Sequence, residues 1–229
     1  MDMGQIIDGA IRLYRLNFGE LLAMAAVTLP VGAASAIIGG LIDDAVVAAI
    51  VTVAFAIPSV AIGLVAQAAI ARAVADVDEG AVPDFNSAYG RVLPRVGTLF
   101  LTALRVAVIV VALGITIVGI PFAIYFMVRW AFFAQAIVIE GESSTGATDL
   151  SARVVQGCWW RTLGILLILG LLASLPSAAI ALVFSAATPI AASLASTVVA
   201  AIVFPFSASA TTLLFFDLQS RERERVSIA

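Results

Sequence analysis

The stretch RVAVIVVALGITIVGIPFAIYFMVR, residues 105–129, decides how the whole chain is read. Between Arg105 and Arg129 it carries no charge, and Val106–Val128 is long enough for one transmembrane helix, which needs about 20 apolar residues. Its second half contains Gly119-Ile120-Pro121, a turn signal of the kind that joins two helices in a hairpin. One span and one hairpin put everything downstream on opposite sides of the bilayer. Arginine separates the two readings, because cationic segments resist translocation and remain cytoplasmic. A single span would send Arg129, Arg153, Arg161, Arg221, Arg223 and Arg225 outside; a hairpin leaves no arginine misplaced.

Read outward from that hairpin, the spans fall at Leu21–Ile42, Val46–Val74, Gly97–Ile120, Pro121–Ile139, Leu163–Phe184 and Ile190–Phe216. The outer turns hold Asp43 and Asp44, then the uncharged 114–121, then the uncharged Ser185–Pro189. The inner segments hold Arg12 and Arg15, then Arg72, Arg91 and Arg95, then Arg153 and Arg161, then Arg221, Arg223 and Arg225. Both termini are therefore expected in the cytoplasm, in a multi-pass protein of the cell membrane. Composition agrees: the 229 residues are 62% hydrophobic and 12% charged, against about a quarter charged in a soluble domain. Little chain is left over for a soluble domain. Leu21–Val31 with Ala34-Ser35-Ala36 has the outline of a cleaved signal peptide. Asp2 and Asp8 spoil its basic leader and the apolar run continues to Ile42, so it reads as an uncleaved first span.

An amphipathic stretch precedes each hairpin on the inner side. Gly4–Phe18 places Ile6, Ile7, Ala10, Ile11, Tyr14 and Phe18 at helical spacing, and Asp84–Val96 repeats this with Phe85, Ala88, Tyr89, Val92, Leu93 and Val96. Asp84 can cap the second helix and Pro94 should end or kink it. Asp149–Arg161 is the third, with Leu150, Val154, Val155, Cys158, Trp159 and Trp160. The order is surface helix, span, turn, span, three times over, in units 1–80, 81–142 and 143–220 with a charged tail over 217–229. The joints Asn17-Phe18-Gly19-Glu20, Arg95-Val96-Gly97-Thr98 and Thr162-Leu163-Gly164-Ile165 align. Two spans per unit make such a repeat parallel. Chance similarity in an alanine-, leucine- and valine-rich chain explains the alignment equally well.

Arg105 and Arg129 are the two charges well inside apolar sequence, Arg105 roughly 12 Å into its span at the helical rise. They could form a shared site for an anionic substrate or a lipid phosphate. The simpler account is that both long side chains snorkel to the inner surface or rest on aromatics such as Trp130. Trp130, Trp159, Trp160 and Arg161 have the composition of a headgroup belt. Prolines 30, 58, 121, 176 and 205 read as tolerated kinks rather than a broken-helix substrate path. Gln67, Gln135, Thr102, Thr211 and Thr212 are candidates for interhelical bonds. Cys158 reads as a spectator, and Arg221–Arg225 as a solvated helix end.

Absences narrow the function. Without histidine there is no Ser-His pair, His-dependent zinc protease or haem histidine ligand; without lysine there is no Schiff base or P-loop. No carboxylate pair lies within the apolar stretches for acid–base or metal chemistry. A non-catalytic protein without cofactor or nucleic-acid partner is expected, in contact with membrane lipids and with a protein partner of the membrane or cytoplasm.

The residues Val128-Arg129-Trp130-Ala131-Phe132-Phe133, Val138-Ile139-Glu140-Gly141 and Trp159-Trp160-Arg161-Thr162-Leu163-Gly164 carry a resemblance. With Ile11–Gly19 and Thr212–Leu218 they make the chain resemble the glycerophosphoryl diester phosphodiesterase membrane-domain family and related prokaryotic inner-membrane proteins. The resemblance implies a multi-span membrane module with a link to phospholipid or glycerophosphodiester metabolism. It transfers no catalytic residue, since the phosphodiesterase domain is absent and its histidines cannot exist here. The expectation is an all-α integral membrane bundle, one domain over 1–229, with six transmembrane and three cytoplasmic amphipathic helices. It would anchor or scaffold at the membrane; the alternative is a small transporter or channel for an anionic or lipid-like substrate using Arg105 and Arg129.

Overall fold

The computed structural model describes residues 3–42, 44–184 and 189–228, so Asp43 and residues 185–188 of the expected outer turns lie outside the described residues. Every regular element among the described residues is helical. In chain order these are α1 (Met3–Leu16), α2 (Phe18–Ala26), α3 (Leu29–Gly40), α4 (Ala45–Asp78), α5 (Phe85–Val92), α6 (Val96–Gly114), α7 (Ile120–Arg129), α8 (Phe133–Val138), α9 (Ser144–Val155), α10 (Trp159–Phe184) and α11 (Pro189–Ile228). Five segments are long and apolar enough to cross a membrane: 46–78, 85–114, 120–138, 159–184 and 190–227. A sixth is obtained if α2 and α3, which meet at a bend of 45°, are taken as one span.

Local chemistry explains the ends. Asp44 accepts from the Val46 and Val47 amides, both at 2.9 Å, and starts α4. Asp84 accepts from the Ser87 amide at 2.7 Å and starts α5, as expected of an N-cap carboxylate. Pro94 then stops the α-helix, and a single 3₁₀ turn over Leu93–Arg95 leads into α6. The hairpin turn of residues 105–129 is present between α6 and α7. There the Thr116 hydroxyl accepts from the Gly119 amide at 3.0 Å, and a Cβ on Gly119 would lie 2.0 Å from the Leu113 carbonyl oxygen. Only glycine fits that turn.

Two expected continuous spans are broken, each at a point repaired from another element. Beyond α2 the Thr28 amide turns to the Ala25 carbonyl, three residues back instead of four. The Met24 carbonyl this releases accepts from the Tyr89 hydroxyl of α5 at 2.8 Å. The expected span Pro121–Ile139 is interrupted at residues 130–132, between α7 and α8. Buried Ser151 of α9 bridges that gap: its hydroxyl donates to the Arg129 carbonyl at 2.9 Å and accepts from the Phe132 amide at 3.1 Å. The third amphipathic helix also differs from expectation. It begins at Ser144, with Ser143 accepting from the Gly146 amide at 3.2 Å, and ends at Val155. Gly157, at φ +83°, turns the chain, so Trp159, Trp160 and Arg161 open α10 instead of closing the surface helix.

The buried core lies at the arginine-rich end, not at mid-length. Ala66, Ala68–Ala71 and Ala73 of α4 are fully buried there, as are Ile6, Leu21, Met24, Val92, Phe132, Ile137, Leu214, Phe215 and Leu218. The alanines of α4 lie in the part of the helix that packs against α2, α5, α8 and α11. The opposite half of the same helix exposes Val46, Val47, Ile50, Val53, Ile57 and Val60. An apolar exposed face of this kind suits lipid, not water.

The three surface helices follow one rule. Helix α5 packs on α4, α9 on α8, and α1 on α11. Helices α5 and α9 thus pack on the helix just before them in the chain, and α1 packs on the last helix. An aromatic donor accompanies each step: Tyr89 to the Met24 carbonyl, Trp159 Nε1 to the Tyr125 carbonyl at 3.3 Å, and Tyr14 to the Ile202 carbonyl at 2.7 Å. Ile202 lies in the turn of α11 just before Pro205, which has no N–H to give the helix. Burial pushes the Tyr14 hydroxyl above its ordinary pKa, so it stays protonated and remains a donor.

Candidate functional site

Charge at the arginine-rich end is organised around two buried aspartates. Asp76, near the end of α4 and 4% exposed, accepts through Oδ1 from Arg72 Nε at 3.1 Å, Arg72 Nη2 at 2.7 Å and Arg91 Nη1 at 2.7 Å. Asp217, near the end of α11 and also 4% exposed, accepts through Oδ2 from Arg161 Nη1 at 2.9 Å and Arg221 Nε at 3.0 Å. One arginine in each set is four residues away on the same helix; the other comes from a different element and ties the helices together. A carboxylate buried this deeply is tolerable only with such partners. Around them, Arg153 reaches Glu222 at 3.5 Å, Gln219 donates to Glu140 at 2.8 Å, and Arg225 donates to the Gln156 carbonyl.

The sequence-derived candidates separate into three places. Arg129, Trp130, Trp159 and Trp160 belong to one aromatic patch. Tyr125 stacks with Trp159 at 6.0 Å between centroids and accepts from Arg129 Nη1 at 2.7 Å, while Trp130 stacks on Phe126 at 4.7 Å. Trp160 meets Trp159 edge-on at 4.7 Å and is 79% exposed. Indoles beside an arginine are the composition of a headgroup belt. Arg161 instead belongs to the Asp217 cluster. Arg105 is apart from both, on the exposed face of α6 with Leu101, Leu104 and Val108. No hydrogen bond or ion pair among the described residues joins Arg105 to Arg129, and neither lines any of the cavities described here.

Of the polar residues proposed for interhelical bonding, Thr102 makes such a bond, to Ser144 at 2.8 Å. Thr211 and Thr212 donate back to carbonyls of their own helix, Ser207 and Ala208. Gln135 is fully buried, and neither of its amide atoms has a hydrogen-bond partner among the described residues.

A feature not foreseen from sequence lies in the other half of the molecule. A cavity of about 460 Å³ opens between α3, α4 and α11, walled by Gly32, Ser35, Thr52, Ser59, Ser196 and Thr197. A second, of about 280 Å³, shares Gly32, Ser59 and Thr197 and continues toward Phe204. Thr52, Ser59, Ser196 and Thr197 each donate to a carbonyl of their own helix, leaving oxygen lone pairs toward the space. The only signal in sequence was hydroxyl residues scattered through three apolar spans, and nothing there pairs one helix with another. Among the described residues no group of three or more Cys, Asp or Glu could hold a metal ion. Comparison of the chain with known family models, with curated proteins and with solved structures finds no match to any of them.

Proposed function

We propose that this chain is a non-catalytic six-span module of the cell membrane, built of three parallel helix-plus-hairpin units, that anchors or scaffolds at the cytoplasmic surface. The observation that carries this reading is the concentration of all three surface helices, both aspartate–arginine clusters and the buried core at one end. That end is the densely packed part of the molecule, and the arginine distribution supports a cytoplasmic position for it. The aromatic patch about Arg129, Trp130, Trp159 and Trp160 would meet lipid headgroups. The helix-joint resemblance supports a role near phospholipid or glycerophosphodiester metabolism. Sidedness is tested by cysteine labelling in a Cys158→Ser background. A membrane-impermeant maleimide should modify Thr116→Cys in intact cells, and Ala81→Cys and Thr145→Cys only after lysis. Labelling of Ala81→Cys from outside would overturn the topology.

The hydroxyl-lined cavities favour a second reading, a transporter or channel for a small polar or lipid-like solute. Neither Arg105 nor Arg129 lines these cavities, and the buried core lies toward the arginine-rich end. Vesicles containing the protein should therefore retain trapped sulfate and glycerol as well as protein-free vesicles do. Saturable release of either would reverse the ranking.

A further inference from the structure

Arginine is spent three times over at a cavity that the orientation rule alone does not explain. This space, about 410 Å³, is lined by Arg72, Arg91, Pro94, Arg95, Val138 and Ile139. Arg91 precedes the 3₁₀ turn at Pro94 and Arg95 ends it, while Arg72 lines the same space from α4. Arg95 is held from behind: its Nη1 donates to the Ile137 and Val138 carbonyls, both at 3.0 Å, at the end of α8. Gly141, at φ +76°, brings the backbone so close that a Cβ there would lie 3.3 Å from Arg95 Nη2. Arg72 is held by Asp76, with Glu79 at 3.5 Å. These guanidiniums are fixed before any ligand arrives.

The ion pairing is incomplete. Two carboxylates, buried Asp76 and the exposed Glu79, stand against three guanidiniums, leaving one positive charge in excess. Arg91 uses only Nη1 and Arg95 only Nη1, so Nε and Nη2 of both have no partner among the described residues. A structural staple for Asp76 needs neither Arg95 nor the second nitrogens of Arg91. An anion with several acceptor oxygens uses both. Guanidiniums on three elements converge from different directions, which matches a tetrahedral phosphate better than a planar carboxylate.

We propose that Arg72, Arg91 and Arg95 form a binding site for a phosphate group, carried either by an anionic lipid headgroup or by a soluble phosphate. This goes beyond the anchoring role and uses none of the residues singled out from sequence as headgroup contacts. The test uses the full chain. In an uncharged maltoside detergent, inorganic phosphate is titrated against chloride at constant ionic strength while thermal unfolding is followed. In parallel, the protein is melted in nanodiscs of phosphatidylcholine with and without phosphatidylglycerol. The expected result is a rise in melting temperature with phosphate, with phosphatidylglycerol, or with both; the responding arm identifies the source.

Arg91→Gln removes a half-exposed guanidinium while leaving the Arg72–Asp76 pair, and should weaken the response at least tenfold in apparent affinity. Arg91→Lys keeps the charge and the Asp76 partner but not the fork, so it should fold even if Arg91→Gln does not, with a smaller loss. Arg105→Gln makes the same charge change away from the cavity and should bind as the unsubstituted protein does. The proposal is overturned if neither probe stabilises the protein, if both Arg91 variants respond unchanged, or if Arg105→Gln weakens the response equally.

Discussion

Asp217→Ala should lower the stability of the detergent-solubilised protein by about 2–4 kcal/mol, a drop in melting temperature of many degrees. Breaking a buried ion pair by removing one partner costs about 3–5 kcal/mol, because the remaining charge is stranded. The upper end of that range needs discounting here, since the Arg161 and Arg221 side chains are 30% and 40% exposed and water can take up part of their charge. The loss remains large because Asp217 holds the start of α10 against the end of α11, and both arginines lose the same partner at once. Asp217→Asn should cost less, since its amide oxygen still accepts one guanidinium. Adding Arg161→Leu to Asp217→Ala should recover part of the loss by removing a charge that Asp217 balanced, a coupling that a double-mutant cycle reads directly. A melting temperature within a degree of the parent for Asp217→Ala would show that the cluster is ornamental.

Much of this architecture is legible in the chain because a bilayer enforces two simple rules. Apolar length defines spans, and arginine defines sides. The hairpin within residues 105–129, the N-cap at Asp84 and the stop at Pro94 all follow from local chemistry, and all are present. What escaped is what depends on a partner distant in sequence. The break at residues 130–132 is stable because a serine of α9 occupies it, and nothing in Trp130-Ala131-Phe132 announces that. The end of α2 likewise rests on a tyrosine 65 residues away.

The charged clusters show the same boundary. Arg72 and Asp76 are visible as an i, i+4 pair, but Arg91 joining them is visible only once α5 is seen to pack on α4. Attention to depth singled out Arg105 and Arg129, because intramembrane charge is costly. Depth alone did not distinguish an arginine on an exposed face from those walling a cavity, and it is Arg72, Arg91 and Arg95 that share one. Tyr14 and Trp159 each precede a joint glycine, Gly19 and Gly164, by five residues, and each donates to a carbonyl of another element, Ile202 and Tyr125.

Gln135 presents the opposite case to Asp217, a buried polar side chain whose removal should strengthen the protein. It lies on α8 at 0% exposure among Phe132, Ile137 and other core residues, and neither its Nε2 nor its Oε1 has a hydrogen-bond partner among the described residues. A polar group buried without a partner costs roughly 1–3 kcal/mol, while an apolar replacement of similar size loses nothing it had. Gln135→Leu should therefore raise the stability of the detergent-solubilised protein by about 1–3 kcal/mol. Gln135→Ala should raise it less or lower it, because the relief is offset by the cavity left in a packed core. The order Leu above Gln above Ala in melting temperature is the signature of an amide that packs but does not bond. If Gln135→Leu instead melts below the parent, the amide is bonded to a buried water in the native protein. Glutamine at this position would then be a tie between α8 and its neighbours, as its place in an apolar span first suggested.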